Sequence, residues 1–205
     1  IEIKRVVCRK TDKVILQTQG NVIASNDLNS IIDDPSISVA IEVMGGIEPA
    51  KTFILNALKN GKDVITANKA LLATHGDEIF TEARKQNRSV FFEASVAGGI
   101  PVIKALREGL AGNQISKVSG ILNGTCNYIL SAMHKTPLSF AEALKNAQQL
   151  GYAEADPTAD VEGIDAARKV AIISQLIFHT NVTLDDVYKE GISKITSDDI
   201  SYAKD

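Results

Sequence analysis

The sequence contains no long hydrophobic run, few cysteines and no concentration of positive charge, and each shortage removes a class of function. Its apolar stretches are short and broken by Gly, Asn or Lys, well under the roughly 20 residues that a membrane-spanning helix needs. No charged-then-apolar leader pattern opens the chain. The two cysteines, Cys8 and Cys126, lie far apart and match no zinc-ligand spacing. So few thiols imply a reducing, cytoplasmic compartment, with each Cys a buried structural group. Lys and Arg are scattered and the formal net charge is -3, so the basic stripe that a nucleic-acid partner requires is missing. There is no internal repeat and no low-complexity tract. Nor does any G-x-G-x-x-G follow a strand-like run, so the usual dinucleotide phosphate loop is not visible.

What is present suffices for a sizeable core, since 44% of the 205 residues are hydrophobic. In the first half, short apolar runs over Ile3–Cys8, Val39–Val43, Asp63–Ala67 and Val90–Ala94 read as strands. Between them, Pro49–Asn60 places Phe53, Ile54, Ala57 and Leu58 at helical spacing and stops at Gly61. Leu71–Gln86 repeats the pattern with Leu72, Ile79, Phe80 and Ala83. This alternation predicts an α/β fold, a parallel sheet with helices on both faces. The second half reads as helix over Pro101–Leu110, strand over Ile115–Leu122, and helices over Gly124–His134, Ser139–Leu150 and Ile164–Phe178. Ser139 is a plausible cap and Gly151 a plausible stop for the middle helix. A separate α+β domain is expected there, with the boundary near Gly98–Pro101. Residues 1–98 then form a partial nucleotide-binding domain and residues 99–205 the second domain. The abrupt opening at Ile1, and a helix that starts at Ser197 and is still running at Asp205, are expected of an internal piece of a longer protein.

In open parallel sheets, ligands sit beyond the carboxyl ends of the strands. Three such ends here are candidates. Arg9-Lys10 follows the first strand and suits an adenosine 2′-phosphate, or is a solvated basic turn. Gly45-Gly46 allows a cofactor to approach the backbone, or makes a turn. Thr66-Ala67-Asn68-Lys69 puts a Lys at a strand end before a helix, facing a cleft or solvent. A fourth run, Glu93-Ala94-Ser95-Val96-Ala97-Gly98-Gly99-Ile100-Pro101, is rich in small residues. It can turn several carbonyls onto one hard cation beside Glu93, or serve as a hinge.

The densest chemistry lies between Gly151 and Lys169, which hold five carboxylates: Glu154, Asp156, Asp160, Glu162 and Asp165. A solvated acidic loop feeding a helix N-terminus is one reading. A calcium loop is another, but the spacing is not that of an EF-hand. At about 100° per residue, Asp165 and Lys169 share a helix face with the apolar Ile172 and Leu176. A charged pair facing a core is costly unless paired. A Lys so placed can donate or accept a proton, or be a snorkelling structural residue.

Taken together, Leu150-Gly151-Tyr152-Ala153-Glu154-Ala155-Asp156-Pro157 through Asp160, Gly163, Asp165 and Lys169 resembles the signature of homoserine dehydrogenases. Thr66–Lys69, Glu93–Pro101, Gly120-Ile121-Leu122-Asn123-Gly124-Thr125-Cys126-Asn127-Tyr128 and Glu190-Gly191-Ile192 resemble the same family in the same order. The resemblance implies a Rossmann-type domain followed by an α+β substrate and dimerisation domain in a homodimer. It implies interconversion of L-homoserine and L-aspartate 4-semialdehyde with NAD or NADP, in threonine, methionine and isoleucine biosynthesis. By matching position, Lys169 is similar to the catalytic proton donor, and Asp165 and Asp160 to residues that position Lys and substrate. Glu154 is similar to the carboxylate that binds the substrate ammonium. Lys69 resembles a residue contacting cofactor close to the substrate, and Gly151, Gly45 and Arg9 resemble cofactor contacts, with Arg9-Lys10 leaning toward NADP. Glu93 and the carbonyls of Val96, Gly98 and Ile100 resemble a sodium site. The family's glycine-rich loop and first strand, on which the cofactor pyrophosphate would sit, are expected before Ile1. Two other readings stand beside this one. A thiol-acylating dehydrogenase would use Cys126, which has no basic partner in the sequence around it. A fragment retaining only the dimerisation module would be catalytically poor.

Overall fold

The computed structural model describes residues 1–203, and the chain divides into two compact units, Ile1–Pro101 and Val102–Asp205. The first unit alternates β1 (Arg5–Val7), α1 (Thr11–Gln17), β2 (Ile23–Ser25), α2 (Asn29–Ile32), β3 (Val39–Glu42), α3 (Ala50–Lys59), β4 (Asp63–Thr66), α4 (Lys69–Lys85) and β5 (Val90–Phe91). Every strand pair is parallel. The strands fall into two small sheets, β1-β2 and β3-β4-β5. The α/β class expected from the alternation is therefore the one formed.

The period-2 pattern of β3 and β4 explains how their sheet packs. Ala40, Val64 and Val90 are in register and buried, and α3 packs on β3 and β4 through Phe53, Ile54, Ala57 and Leu58. These are the four residues whose spacing predicts the helix. Helix α3 ends in a Schellman motif: Gly61 sits at φ +74°, its N–H reaches Leu58 O, and Lys62 N–H reaches Ala57 O. The opposite face of the sheet departs from expectation. Ile41, Ile65 and Phe91, also in register, are 60%, 38% and 43% exposed, so helices cover one face of this sheet among the described residues, not both. Buried Lys62 ties the approach to β3 by donating to the carbonyls of Asp34 and Ile37 at 2.7 and 2.9 Å. Beside it Asp34 accepts from Ser36 and Arg5, which hold its carboxyl well below the usual range.

Several boundaries differ from the sequence reading. Helix α4 begins at Lys69, two residues before Leu71, because Asn68 caps it by accepting Leu71 N–H at 3.1 Å. Strand β5 stops at Phe91, and Glu93–Ser95 forms a 3-10 turn in place of the strand end at Ala94. The elements α1, β2 and α2 are too short for periodicity to reveal.

The second unit contains α5 (Val102–Lys104), prolonged by a π-helical turn over Ala105–Gly109, then α6 (Gly124–Lys135), α7 (Phe140–Gln149), α8 (Thr158–Val161), α9 (Ile164–Phe178) and α10 (Ser197–Tyr202). The end of the helix expected through Asp205 lies outside the described residues. Ile129 and Met133 of α6 pack with Ala143 and Ala147 of α7 and with Ala153 and Val161, flanked by Ile192, Ile195 and Ile200. Ser139 forms a full capping box with Glu142, whose carboxyl pKa is lowered by those hydrogen bonds. One expected element is not formed. Residues Ile115–Leu122 carry no strand, and the described part of this unit has none. A strand needs a neighbouring edge for its N–H and C=O groups, and this segment runs exposed with Val118 and Ile121 facing outward.

Two glycines bring the chain after α9 back against the start of that helix. Gly163, at φ +75°, forms the N-cap of α9, and a Cβ there would lie 3.0 Å from Glu190 O. A Cβ on Gly191 would lie 2.8 Å from Val161 O, and Ile192 N–H donates to that same carbonyl at 2.7 Å. Gly191→Ala should therefore destabilise the protein by about 1–3 kcal/mol through overpacking. Chemical unfolding would measure it, and an unchanged midpoint would show that the contact yields freely.

Candidate functional site

The carboxyl edge of the first unit is organised by a residue that the sequence reading passed over. Glu42 ends β3 and is almost wholly buried. One of its oxygens accepts Met44 N–H at 2.7 Å and Gly45 N–H at 3.1 Å, and the other accepts the Thr66 hydroxyl at 2.7 Å. Thr66 Oγ1 in turn accepts Asn68 N–H at 3.0 Å, and Asn68 Nδ2 donates to Gly46 O at 2.7 Å. This chain of bonds joins the ends of β3 and β4 and holds the Gly45-Gly46 loop, where both residues have φ above +70°. Open space lies where either glycine's Cβ would point. The amide N–H of Gly45 is already engaged by Glu42, so a ligand at this loop would meet its Cα and carbonyl. Lys69 opens α4 at the end of β4, and Arg9 lies exposed after β1. All three expected cofactor contacts of this unit thus sit at carboxyl ends of parallel strands, where ligands of open sheets bind.

The run from Glu93 to Ile100 turns sharply through Ala97 and Gly98, at φ +62° and +58°, with Ile100 N–H donating to Ala97 O at 3.1 Å. Among the described residues, no three His, Cys, Asp or Glu side chains converge as a metal set. A cation here would depend on main-chain carbonyls, the hard donors that group 1 and 2 ions accept.

In the second unit, three expected site residues meet around a fourth that was not expected. Asp165, in the first turn of α9, is buried, and its Oδ2 accepts Lys169 Nζ at 2.6 Å one helical turn on. The same Nζ donates to Leu122 O at 2.6 Å. Lys169 and Leu176 are half-buried and Ile172 is buried, so the face predicted to carry a charged pair toward the core does so. Asn123 joins this pair to Asp160: its Nδ2 donates to Asp160 Oδ1 at 2.7 Å and to Asp165 Oδ2 at 3.0 Å. Thr125 Oγ1 lies within hydrogen-bond distance of Asp160 Oδ2, at 2.9 Å, and of Tyr152 O, at 2.8 Å. Among the described residues, every buried side-chain nitrogen and oxygen has a hydrogen-bond partner.

Glu154 and Gly151 lie at the rim of this network rather than in it. Glu154 is exposed on the loop after α7, with its carbonyl held by Gln148 Nε2 at 3.1 Å. Gly151 turns the chain out of α7 at φ +78°, directly before Tyr152, whose carbonyl faces Thr125. Asn123 and Thr125 stood in the sequence only within the stretch that resembles the family, with no role assigned, and Asn123 caps α6 by accepting Cys126 N–H at 2.8 Å. The bonds that matter span 35 to 47 residues and leave no periodic signal.

Comparison with known proteins bears on both units. Residues 1–93 match the family model described as "Homoserine dehydrogenase, NAD binding domain", and residues 101–205 match the homoserine dehydrogenase model itself. The chain is 47% identical over its whole length to a homoserine dehydrogenase of Bacillus subtilis, covering 47% of that protein. It is 48% identical to one from Pseudomonas aeruginosa, over 99% of this chain and 46% of that one. The solved homoserine dehydrogenase of Thiobacillus denitrificans superposes with a TM-score of 0.93 at 47% identity, over all of this chain and 47% of the other. A hyperthermophilic archaeal homoserine dehydrogenase in complex with NADPH matches at a TM-score of 0.77 and 25% identity, over 92% of this chain and 60% of that one. The chain thus spans about half the length of the bacterial relatives it matches. These matches support the oxidoreductase reading and lend nothing to a dimerisation module without catalysis.

The surroundings of Cys126 disfavour the thiol-acylating alternative. Cys126 Sγ–H donates to Asp160 O at 3.2 Å, and burial, then the charges of Asp160 and Asp165, push the thiol pKa up to about 11. A nucleophilic Cys needs a depressed pKa. Because the folded thiol holds its proton more tightly than an unfolded one, whose pKa is about 8.5, its contribution to stability is complete below that pH and lost as pH rises toward 11. Iodoacetamide should therefore label Cys126 slowly near neutral pH and faster only as pH approaches 11, read by mass spectrometry. Rapid labelling at neutral pH would restore the nucleophile. With Cys126 set aside and both halves of the sequence matched in order, the chain belongs to the homoserine dehydrogenase family.

Proposed function

We propose that this chain carries the proton-transfer and substrate-binding machinery of an enzyme interconverting L-homoserine and L-aspartate 4-semialdehyde with a nicotinamide cofactor. The observation that carries the reading is Lys169. An ammonium has three donors, and two of them are held by Asp165 Oδ2 and Leu122 O, each at 2.6 Å. The fixed pair leaves one N–H to be aimed at a reacting oxygen. Its side chain is 14% exposed, enough to reach a bound ligand and little enough to be shielded from bulk water.

In the reductive direction, Lys169 donates a proton to the oxygen that becomes the alcohol, and in the oxidative direction it takes the proton back. Asp165 holds Nζ in place. Glu154 and Asp160 bind the amino-acid end, Glu154 through the substrate ammonium, because anchoring a remote group orients the reacting carbon. Lys69, Gly45, Gly151 and Arg9 would hold the cofactor, which supplies the hydride when bound. The strand order of a doubly wound dinucleotide fold, 3-2-1-4-5-6, has room for these two sheets with one central strand between β1 and β3. Positive charge at Arg9 favours NADP over NAD. Glu93 with the carbonyls of Val96, Gly98 and Ile100 would take a sodium ion. The assembly is a homodimer in the cytoplasm.

Two substitutions test the roles, measured in the intact protein. Lys169→Ala should lower kcat by about 10²–10⁴-fold, a loss far larger than the fall in stability that stranding Asp165 also brings. A folded variant with unchanged kcat would remove Lys169 from the chemistry. Glu154→Gln should raise KM for homoserine by about 10–100-fold, the worth of one charge-assisted hydrogen bond, and leave kcat nearly intact. A change confined to kcat would contradict a binding role.

A further inference from the structure

We propose that Asn123 is the positioning residue that sets Lys169, by holding Asp160 and Asp165 together on one amide nitrogen. The proposal rests on the function proposed above and names the residue on which its geometry depends. The two hydrogens of Asn123 Nδ2 go to Asp160 Oδ1 and Asp165 Oδ2, at 2.7 and 3.0 Å. Asp165 Oδ2 is the same oxygen that receives Lys169 Nζ. The preceding residue, Leu122, gives Nζ its second acceptor. The Leu122-Asn123 step therefore fixes Lys169 twice, once through a carbonyl and once through the carboxylate that the amide steers.

Asn is chemically suited to this place. Its Oδ1 accepts Cys126 N–H at 2.8 Å, as the N-cap of α6. The amide is thereby oriented: a flip would set an oxygen against two carboxylates and an NH2 against an N–H donor. Asp at this position would keep the cap but lose both donors and bring a third negative charge beside Asp160 and Asp165. Ser would keep the cap but is too short to reach both carboxylates. Without the shared nitrogen the two Asp carboxylates face each other in a half-buried site where their repulsion is poorly screened. Asp165 would then swing away from the position that aims Nζ. A displacement of about 1 Å at a catalytic group costs on the order of 10²-fold in rate.

The titratable groups around Asn123 are Asp160 from α8, Asp165 and Lys169 from α9, and Cys126 from α6. They give the test a signature that loss of a helix cap would not produce. In Asn123→Asp, a proton on the new carboxyl restores one donor toward its carboxylate neighbours. In the intact protein, kcat of this variant should fall by about 10²-fold near pH 8, and the deficit relative to the unsubstituted protein should shrink as the pH is lowered toward 6. The unfolding midpoint is recorded alongside. A deficit that is absent, or that stays flat with pH, overturns the proposal. If Asn123→Asp does not fold, Asn123→Ser decides: a comparable loss of kcat with the unfolding midpoint retained supports the role, and retained kcat overturns it. Lys169→Ala assayed in parallel separates the two levels. Full activity there removes the function reading itself, whereas an inactive Lys169→Ala with an active Asn123→Asp removes only the role of Asn123.

Discussion

Much of the second unit is arranged around the fact that Asp165 is buried and charged. A buried carboxylate is tolerable when its oxygens accept hydrogen bonds and a countercharge is near, and two segments contribute to this. Helix α9 provides Lys169 one turn on, the step into α6 provides Asn123, and Leu122 O takes the remaining reach of the Lys. Removing one member of such a pair leaves an uncompensated charge, which is far costlier than never having had the pair. The site is thus held in one arrangement by the same burial that makes it expensive. The glycines at 163 and 191 belong to this arrangement, since they let the chain close against the first turn of α9 where Asp165 sits.

The first unit meets a comparable demand with a different solution. Glu42 is buried at a strand end and is satisfied by two backbone N–H groups and one hydroxyl rather than by a cation. Its bonds reach across to β4 and, through Asn68, back to Gly46. The left-handed loop after β3 is therefore held by side chains from the ends of β3 and β4. The supporting layer leaves the upper side of the loop open, which is the arrangement a rigid binding edge calls for.

How much of this was legible depended on the range of the interaction. The stripe Asp165, Lys169, Ile172 and Leu176 is a local pattern, and it foretold a charged pair on a covered face. Helix α3 and its Gly61 stop, the Ser139 cap and the α/β alternation are local in the same sense. Asn123 stood in the sequence only within the stretch that resembles the family, because its partners Asp160 and Asp165 lie 37 and 42 residues away. Glu42 was hidden similarly, as one polar residue at the end of an apolar strand. The strand expected over Ile115–Leu122 has the right composition, but composition cannot supply the neighbouring edge on which pairing depends. The short elements α1, β2 and α2 fall below the window in which either periodicity can be counted.

The partly exposed row of Ile41, Ile65 and Phe91 has a practical consequence for handling the molecule. Three large apolar side chains in register on a pleated surface form a flat, adhesive strip. At the concentrations used for spectroscopy or crystallisation, partly exposed apolar rows of this kind favour self-association. Colloidal behaviour would then be governed by the back of the sheet, on a face remote from the polar loops at its carboxyl edge.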